Sequence, residues 1–232
     1  MRLLTDNKIT SSMLTVNEES NAFPKENLLT GILAEKTYFE DYIVIDFGLA
    51  KRVTAIGLIG HNHTVNIEAN ASDSWDAPAF SVEMTTSEMV EFVDQTYRYW
   101  RIVIPGSGGV DYLRYFYLGE YLQIPYPEPG STPNVATNDI IATTSGYQRY
   151  TTRGTTARVQ SFEFYATTQA EYELFRDWWN SDDRSNNLIF VQFEDDNEMT
   201  HFPSYLAKVV EFVTNNRSQL AYDWSITIEE AK

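Results

Sequence analysis

Alternating apolar and polar positions predict strands along most of the first half of the chain. Residues 43–47 place three apolar side chains on one face of an extended segment, and the continuous apolar run at 55–59 is typical of a strand covered on both sides. Residues 97–104 alternate with many aromatic and β-branched members, which favour pleated sheet. An aromatic segment at 112–122 follows, so the pattern predicts an antiparallel sandwich that ends near residue 123.

The second half combines one helix with further strands. Thr168 and Glu171 have the spacing of a capping box, in which each side chain satisfies a backbone donor of the other residue, and they predict a helix over about 168–180. Aromatic residues recur in it at helical spacing, so we expect a sheet to cover that face. We interpret Trp178 and Trp179 as part of this packing, the alternative being a binding platform. Alternation predicts further strands near 188–193, 205–213 and 220–228.

A proline-rich stretch separates the two halves. Four of the eight prolines lie within residues 124–134, and proline fixes φ and removes a backbone donor, so an extended, semi-rigid connector is predicted. The alternative is an ordered arm along a domain surface, anchored by Tyr126. We therefore predict two separately cored domains, residues 1–124 and 147–232, joined by a linker at 125–146.

Charge narrows the classes of partner. With 33 acidic and 17 basic residues the formal net charge is −16, so phosphate backbones are repelled and no direct nucleic-acid binding is expected. The charge fits a solvated acidic surface, or a lumen that faces DNA without binding it. The acidic turn at 194–198 is a candidate for such a lumen, the alternative being a solvated hairpin tip.

The sequence shows no pattern of a membrane span or a signal peptide, and it contains no cysteine. No apolar run approaches the roughly 20 residues of a membrane span, and residues 1–8 lack the apolar core of a signal peptide. We therefore expect synthesis in the cytoplasm and no membrane insertion. The chain has no cysteine, which excludes disulfides and thiolate metal sites.

Three histidines are the candidates for a metal site. His61 and His63 are two residues apart, so on an extended segment both imidazoles project from the same side. A third ligand has to come from elsewhere, and His201 is the remaining histidine. The alternative, a polar loop at a strand end, is the interpretation we adopt.

No motif points to catalysis. The glycine-rich loop at 106–109 contains Ser107 but lacks the spacing of a nucleophile elbow, and it lies between predicted strands instead of opening a helix. There is no phosphate-binding glycine loop and no dinucleotide fingerprint. We expect no enzyme activity. A glycan hydrolase with paired carboxylates is the least favoured alternative.

The order of the hydrophobic motifs in the first half supports a resemblance. Motifs at 27–29, 43–48, 53–62, 97–102 and 117–120 resemble those of the galactose-binding (discoidin-like) domain, particularly the copies in tail and baseplate proteins of long-tailed bacteriophages. The resemblance implies a mainly β chain whose first domain is a jelly-roll sandwich. It also implies a possible structural calcium, and no other cofactor. The oxygen ligands to examine for that calcium are Asp73, Asp76 and Glu120.

Such domains carry ligands in their inter-strand loops. Trp75, Tyr112 and Arg114 lie in or near those predicted loops. Aromatic faces stack on sugar rings and guanidinium groups bond to hydroxyls, so these three are the candidate glycan-binding residues.

The second half resembles, in its topology alone, the small β-barrel or sandwich with one packed helix found in phage tail-tube, distal-tail and tail-tip proteins. The domain order here is inverted relative to the distal tail proteins of many siphophages. The resemblance implies a non-enzymatic component of the virion tail, with a homo-oligomeric ring, a hexamer being favoured, formed by residues 147–232. Its neighbours would be the tail tube, hub and fibres, with host glycan a further partner of the jelly roll. The alternative is a carbohydrate-binding adhesin or accessory module that recognises host cell-surface glycan.

Overall fold

The computed structural model describes 1–30, 32, 34–85, 89–104, 111–125, 127, 134–137, 140–143, 149–152, 156–180, 188–192, 205–216 and 221–230. These residues form strands and one α-helix, with every strand pairing antiparallel. The prediction of a mainly β chain with one packed helix is confirmed. No helix within the described ranges is long and apolar enough to cross a bilayer.

Nine strands and two short 3₁₀ turns, Ser11–Met13 and Lys25–Leu29, make up the first half. The strands are β1 (Arg2–Asn7), β2 (Leu14–Val16), β3 (Thr37–Phe39), β4 (Tyr42–Ile59), β5 (Val65–Asn70), β6 (Phe80–Met84), β7 (Met89–Val103), β8 (Asp111–Leu113) and β9 (Tyr115–Gln123). The last of them ends at Gln123, as the alternation predicts.

The second half contains the helix and the remaining strands. They are β10 (Asn134–Thr137), β11 (Ile140–Thr143), β12 (Arg149–Thr152), β13 (Thr156–Thr167), α1 (Gln169–Trp179), β14 (Leu188–Gln192), β15 (Tyr205–Asn216) and β16 (Tyr222–Glu230). Two of them, β10 and β11, lie within the predicted linker at 125–146, so regular pairing starts at Asn134. Their β-branched residues, such as Val135 and Ile140, favour strand over connector. The domain boundaries themselves stay predictions.

One strand joins the two halves. The large sheet has the order β10-β13-β16-β15-β14-β1-β9-β4-β7-β5-β6, with β2 attached to β4. In its middle, Leu3 of β1 pairs with Leu122 of β9 on one side and with Val191 of β14 on the other. Hydrogen bonding is therefore continuous from one predicted domain into the other.

The apolar side chains form separate clusters along this sheet. The largest lies among β2, β4, β5, β7 and β9 and includes the fully buried Trp100. A second cluster lies under the helix, around Phe175, and takes in Met1 and Leu3 from the other end of the chain. A smaller third cluster at the junction contains Leu4 and Tyr115. The clusters are thus distinct along the sheet, and the first strand contributes to two of the three.

The helix forms where the capping signal places it. The Thr168 side chain accepts from the Glu171 backbone N–H, and the Glu171 carboxylate accepts from the Thr168 N–H at 2.8 Å, which confirms the capping box. Phe175 is fully buried, with its ring centroid 5.1 Å from that of Trp224. Trp178 and Trp179 pack partly buried against the same cluster. This agrees with the helix-packing interpretation of the pair.

Candidate functional site

A short two-stranded ribbon outside the large sheet carries two facing tyrosines. It consists of β3 and β8, in which Tyr38 and Tyr112 are direct cross-strand partners. Their ring centroids are 6.0 Å apart, and Phe23 packs edge-on against Tyr38 at 4.5 Å. Thr37 and Leu113, which alternate with the tyrosines, are buried, so the tyrosines lie on the outer side of the ribbon and are half-buried.

Lys36 places its ammonium group over this aromatic pair. It precedes Tyr38 by two residues, and its Nζ lies 4.0 Å from the centroid of the Tyr112 ring and 5.9 Å from that of Tyr38. Two hydrogen bonds tie residues 36 and 37 to the preceding segment. Asn27 Nδ2 donates to the Lys36 carbonyl at 2.7 Å, and Thr37 Oγ1 donates to the Pro24 carbonyl at 2.8 Å. These hydrogen bonds fix the chain at Lys36 and Thr37, next to Tyr38.

Arg114 lies at the base of the same ribbon. Its backbone N–H donates to the Ile59 carbonyl at 3.1 Å, and its side chain runs over Gly60, where an added Cβ would come within 2.2 Å of the Arg114 Cδ. Asn62, two residues after Gly60, accepts from the Tyr112 backbone N–H through its Oδ1 at 3.1 Å. We refer to Lys36, Tyr38, Tyr112 and Arg114 together as the tyrosine site.

The two histidines of the adjoining loop do not form a metal pair. The segment between β4 and β5 is a bend, and His61 Nδ1 bonds to the carbonyl of His63 at 2.5 Å. His63 is half exposed and points its Nε2 toward Asp111, whose Oδ1 is 3.6 Å away and whose side chain is fully buried. Within the described residues no group of three or more metal-binding side chains is suited to hold an ion. His201 lies outside those residues.

Trp75 is not part of the tyrosine site. It follows β5, whose last residue Asn70 pairs with Tyr99, whereas Tyr112 and Arg114 come after β7 has ended at Val103. Trp75 stacks on the outer face of the sheet, with the Arg101 guanidinium 4.5 Å from its ring centroid and its indole N–H donating to Asp73 at 2.7 Å. The three predicted glycan-binding residues therefore belong to two places.

The predicted calcium ligands are also separated. Asp73 and Asp76 lie in the loop after β5, where Asp73 accepts from Trp75. Glu120 lies on β9 and pairs with Lys8 at 3.3 Å and Arg52 at 2.6 Å. The structure does not bring the three carboxylates together, because strand pairing with β1 and β4 fixes Glu120 elsewhere.

Glu120 lines a cleft of about 700 Å³ that is formed by residues of β4, β7 and β9. Arg52 crosses it, bonding to both oxygens of Asp94 at 2.8 and 3.0 Å as well as to Glu120. The hydrogen bond from Arg52 lowers the pKa of Asp94, and the coulombic attraction acts in the same direction against desolvation. The Asp94 carboxylate is thus held ionised by its basic partner, unlike the protonated acid of a glycosidase.

The tyrosine site was only half visible in the sequence. Tyr112 and Arg114 were identified from their position in a loop, but Phe23, Lys36 and Tyr38 were not. The available signal is the Lys-Thr-Tyr-Phe segment at 36–39, in which a basic and an aromatic residue share one face at a spacing of two. Pairing of β3 with β8, across more than 70 residues, is what makes these residues neighbours.

No family model matches the chain, and no curated protein matches its sequence. Among solved structures, SpGH29 is 14% identical over 51% of this chain and 28% of its own, with a TM-score of 0.42. The chain therefore spans less than a third of that protein. A chitosan-binding module of a Paenibacillus sp. IK-5 chitosanase/glucanase is 16% identical over 50% of this chain and 99% of its own, with a TM-score of 0.38.

The fucose-binding module SpX-3 of Streptococcus pneumoniae is 13% identical over 50% of this chain and 99% of its own, with a TM-score of 0.42. Two of these three structures are described as carbohydrate-binding modules. These similarities, each over about half of the chain, assign it no ligand. The bacteriophage tail-tip resemblance gains no support from them.

Proposed function

We propose that this protein binds glycan through the tyrosine site. The observation that carries the proposal is the arrangement of Tyr38 and Tyr112 as adjacent, half-buried rings tilted by 59°, with the Lys36 ammonium 4.0 Å from the centroid of the Tyr112 ring. Aromatic faces bind the apolar side of a sugar ring, while ammonium and guanidinium groups donate to its hydroxyls. Few convergent polar groups on an aromatic surface are typical of small-ligand sites.

Rigidity of the site also supports recognition. The ribbon is paired strand to strand, and Asn27, Thr37 and Asn62 hold its backbone by side-chain hydrogen bonds. A preorganised surface loses less conformational entropy on binding than a flexible loop. Weak sugar contacts gain most from such preorganisation.

A glycan array with the purified protein tests this proposal. We expect a defined set of bound glycans, and loss of binding in Tyr112→Ala and in Tyr38→Ala. Trp75→Ala is the matched control, because Trp75 is an aromatic residue of the same jelly roll stacked on Arg101 away from the ribbon. Binding that survives both tyrosine changes but is lost in Trp75→Ala would place the ligand at Trp75 instead.

We also propose a second, structural role: subunit of a bacteriophage tail tip or baseplate that forms a ring through residues 147–232. It rests on the topological resemblance, and the C-terminal half leaves apolar side chains accessible for subunit contacts, with Tyr165 43% and Leu174 47% exposed. Head-to-tail contacts of this kind close into rings. The first strand would then fix the jelly roll rigidly to the ring.

Native mass spectrometry over a range of concentrations tests the ring. The expected result is a closed oligomer, with a hexamer favoured, that Leu174→Asp dissociates. A strict monomer at all concentrations, absent from virions, would contradict the structural role. It would leave glycan binding unaffected, so the two proposals are tested separately.

A further inference from the structure

We infer that the tyrosine site selects anionic sugars, those carrying a carboxylate or sulfate group, over neutral ones. This inference rests on the proposed glycan binding at the same site. It concerns the class of ligand, which the stacking surface alone does not determine.

The partners of the Lys36 ammonium distinguish it from six other described basic residues. Those six form ion pairs with carboxylates, namely Arg2, Lys8, Arg52, Arg98, Arg101 and Arg176. Lys36 forms none with a described residue, and its ammonium contacts two aromatic faces. In a chain of net charge −16, this half-buried ammonium thus has no described carboxylate paired with it.

The acidic residues that adjoin Lys36 and Tyr112 in the sequence have other partners. Glu35, next to Lys36, accepts from the Thr30 hydroxyl at 2.8 Å. Asp111, next to Tyr112, is fully buried and faces His63. Neither carboxylate supplies a counter-charge to Lys36, so that charge is available to a ligand stacked on the tyrosines.

Lys36 supplies the positive charge at the aromatic rings. Its ammonium lies 4.0 Å from the centroid of the Tyr112 ring and 5.9 Å from that of Tyr38. A cation beside a pair of aromatic rings matches a sugar ring with an anionic substituent. The rings take the apolar face and the ammonium takes the charge.

A matched pair of ligands isolates the charge. Oligogalacturonate and its methyl ester have the same sugar rings and differ in the carboxylate, so isothermal titration of both measures selectivity directly. At low salt we expect the acid to bind about tenfold tighter, because partly desolvated charges attract each other more strongly than in bulk water. Added salt should reduce this difference. A sulfated galactan oligosaccharide distinguishes sulfate from carboxylate as the preferred anion.

Lys36→Met removes the charge and keeps an unbranched apolar side chain. We expect it to equalise the affinities of the acid and the ester. Lys51→Met is the control, because Lys51 also stacks on an aromatic ring, that of Phe47 at 5.1 Å, but lies outside the ribbon. Thermal unfolding of both variants checks that the fold is retained.

The outcomes of these titrations distinguish the anionic preference from glycan binding itself. Equal binding of acid and ester by the unaltered protein, or selectivity that persists in Lys36→Met, would overturn the anionic preference and leave glycan binding in place. Absence of binding to every glycan, neutral or acidic, would overturn both.

Discussion

The indole N–H of Trp178 donates to the backbone carbonyl of Thr5 at 3.1 Å, across 173 positions of the sequence. One residue lies in the last turn of the helix and the other in the first strand. That strand also pairs with β9 and β14. The beginning of the chain is therefore one element through which the first half and the helix-bearing half contact each other.

Leu4 tests the importance of this strand. It is fully buried in the junction cluster, so Leu4→Ala should lower the free energy of unfolding by about 2–5 kcal/mol through lost apolar burial and the remaining cavity. The control is Leu49→Ala at a side chain that is 78% exposed, for which we expect a change within about 0.5 kcal/mol. Urea unfolding followed by far-UV circular dichroism measures both. Equal stabilities for the two variants would contradict the role of the junction.

The helix cap gives a second prediction. Thr168→Ala should cost about 1 kcal/mol of stability, because the Glu171 backbone N–H loses its acceptor. Thr168→Ser keeps the hydroxyl and should restore most of the loss. Helical circular dichroism and urea unfolding report the effect. If Ala and Ser at this position behaved alike, the hydroxyl would not be the cause.

Tyr115 gives a pH-dependent prediction. Burial raises the pKa of its phenol from 10.0 to about 12, against a smaller lowering by the hydrogen bond with Asn7. A pKa raised in the folded state contributes stability that is fully present below pH 10 and is lost as the pH rises toward 12. At that pH the loss is on the order of 2 kcal/mol.

Tyr115→Phe removes the titrating group from this site. We expect its free energy of unfolding to fall less steeply between pH 10 and 12 than that of the unaltered protein, measured by urea unfolding at each pH. Parallel slopes for the two proteins would mean that the Tyr115 phenol does not titrate differently in the folded state.

Two glycines allow a matched test of the geometry beneath the tyrosine site. Gly60 and Gly48 both have positive φ, +65° and +73°, but an added Cβ meets the Arg114 side chain at Gly60 and nothing within 4 Å at Gly48. Gly48→Ala should therefore cost only backbone strain, about 1–2 kcal/mol. Gly60→Ala should cost more and displace Arg114.

Removing the clashing side chain completes this test. In an Arg114→Ala background, Gly60→Ala should cost about as much stability as Gly48→Ala, since only the backbone term remains. Thermal unfolding of the single and double variants gives the coupling energy. Additive effects would show that Gly60 and Arg114 do not interact as the close approach indicates.

Local signals in the sequence predict the elements well and their assembly poorly. The capping box at Thr168 and the alternation at 43–47 depend on neighbouring residues, so both are visible in a single sequence. The role of residues 2–7 is not, because a six-residue strand at the end of a chain carries no mark of its two partners. Its pairing with Val191 is decided by tertiary packing.

Prediction of the candidate site from the sequence was limited for the same reason, because its residues come together only through tertiary packing. Sequence pattern predicts both Trp75 and Tyr112 in or near loops, and it does not tell which residues each of them contacts. In the structure Trp75 stacks on Arg101, whereas Tyr112 lies in β8 and pairs with Tyr38, a residue that no motif marks. Residues 106–109 and 194–198, singled out in the sequence, lie outside the described residues, and their predictions stand as made.

Glycan-array binding of the unaltered protein beside Tyr112→Ala tests the central claim most directly. The account predicts a defined set of glycans bound by the unaltered protein, with affinity reduced by roughly tenfold or more in the variant, since a central aromatic contact contributes above about 1 kcal/mol. Trp75→Ala should bind the same set unchanged. An empty array for the unaltered protein, or full binding by Tyr112→Ala, would contradict it.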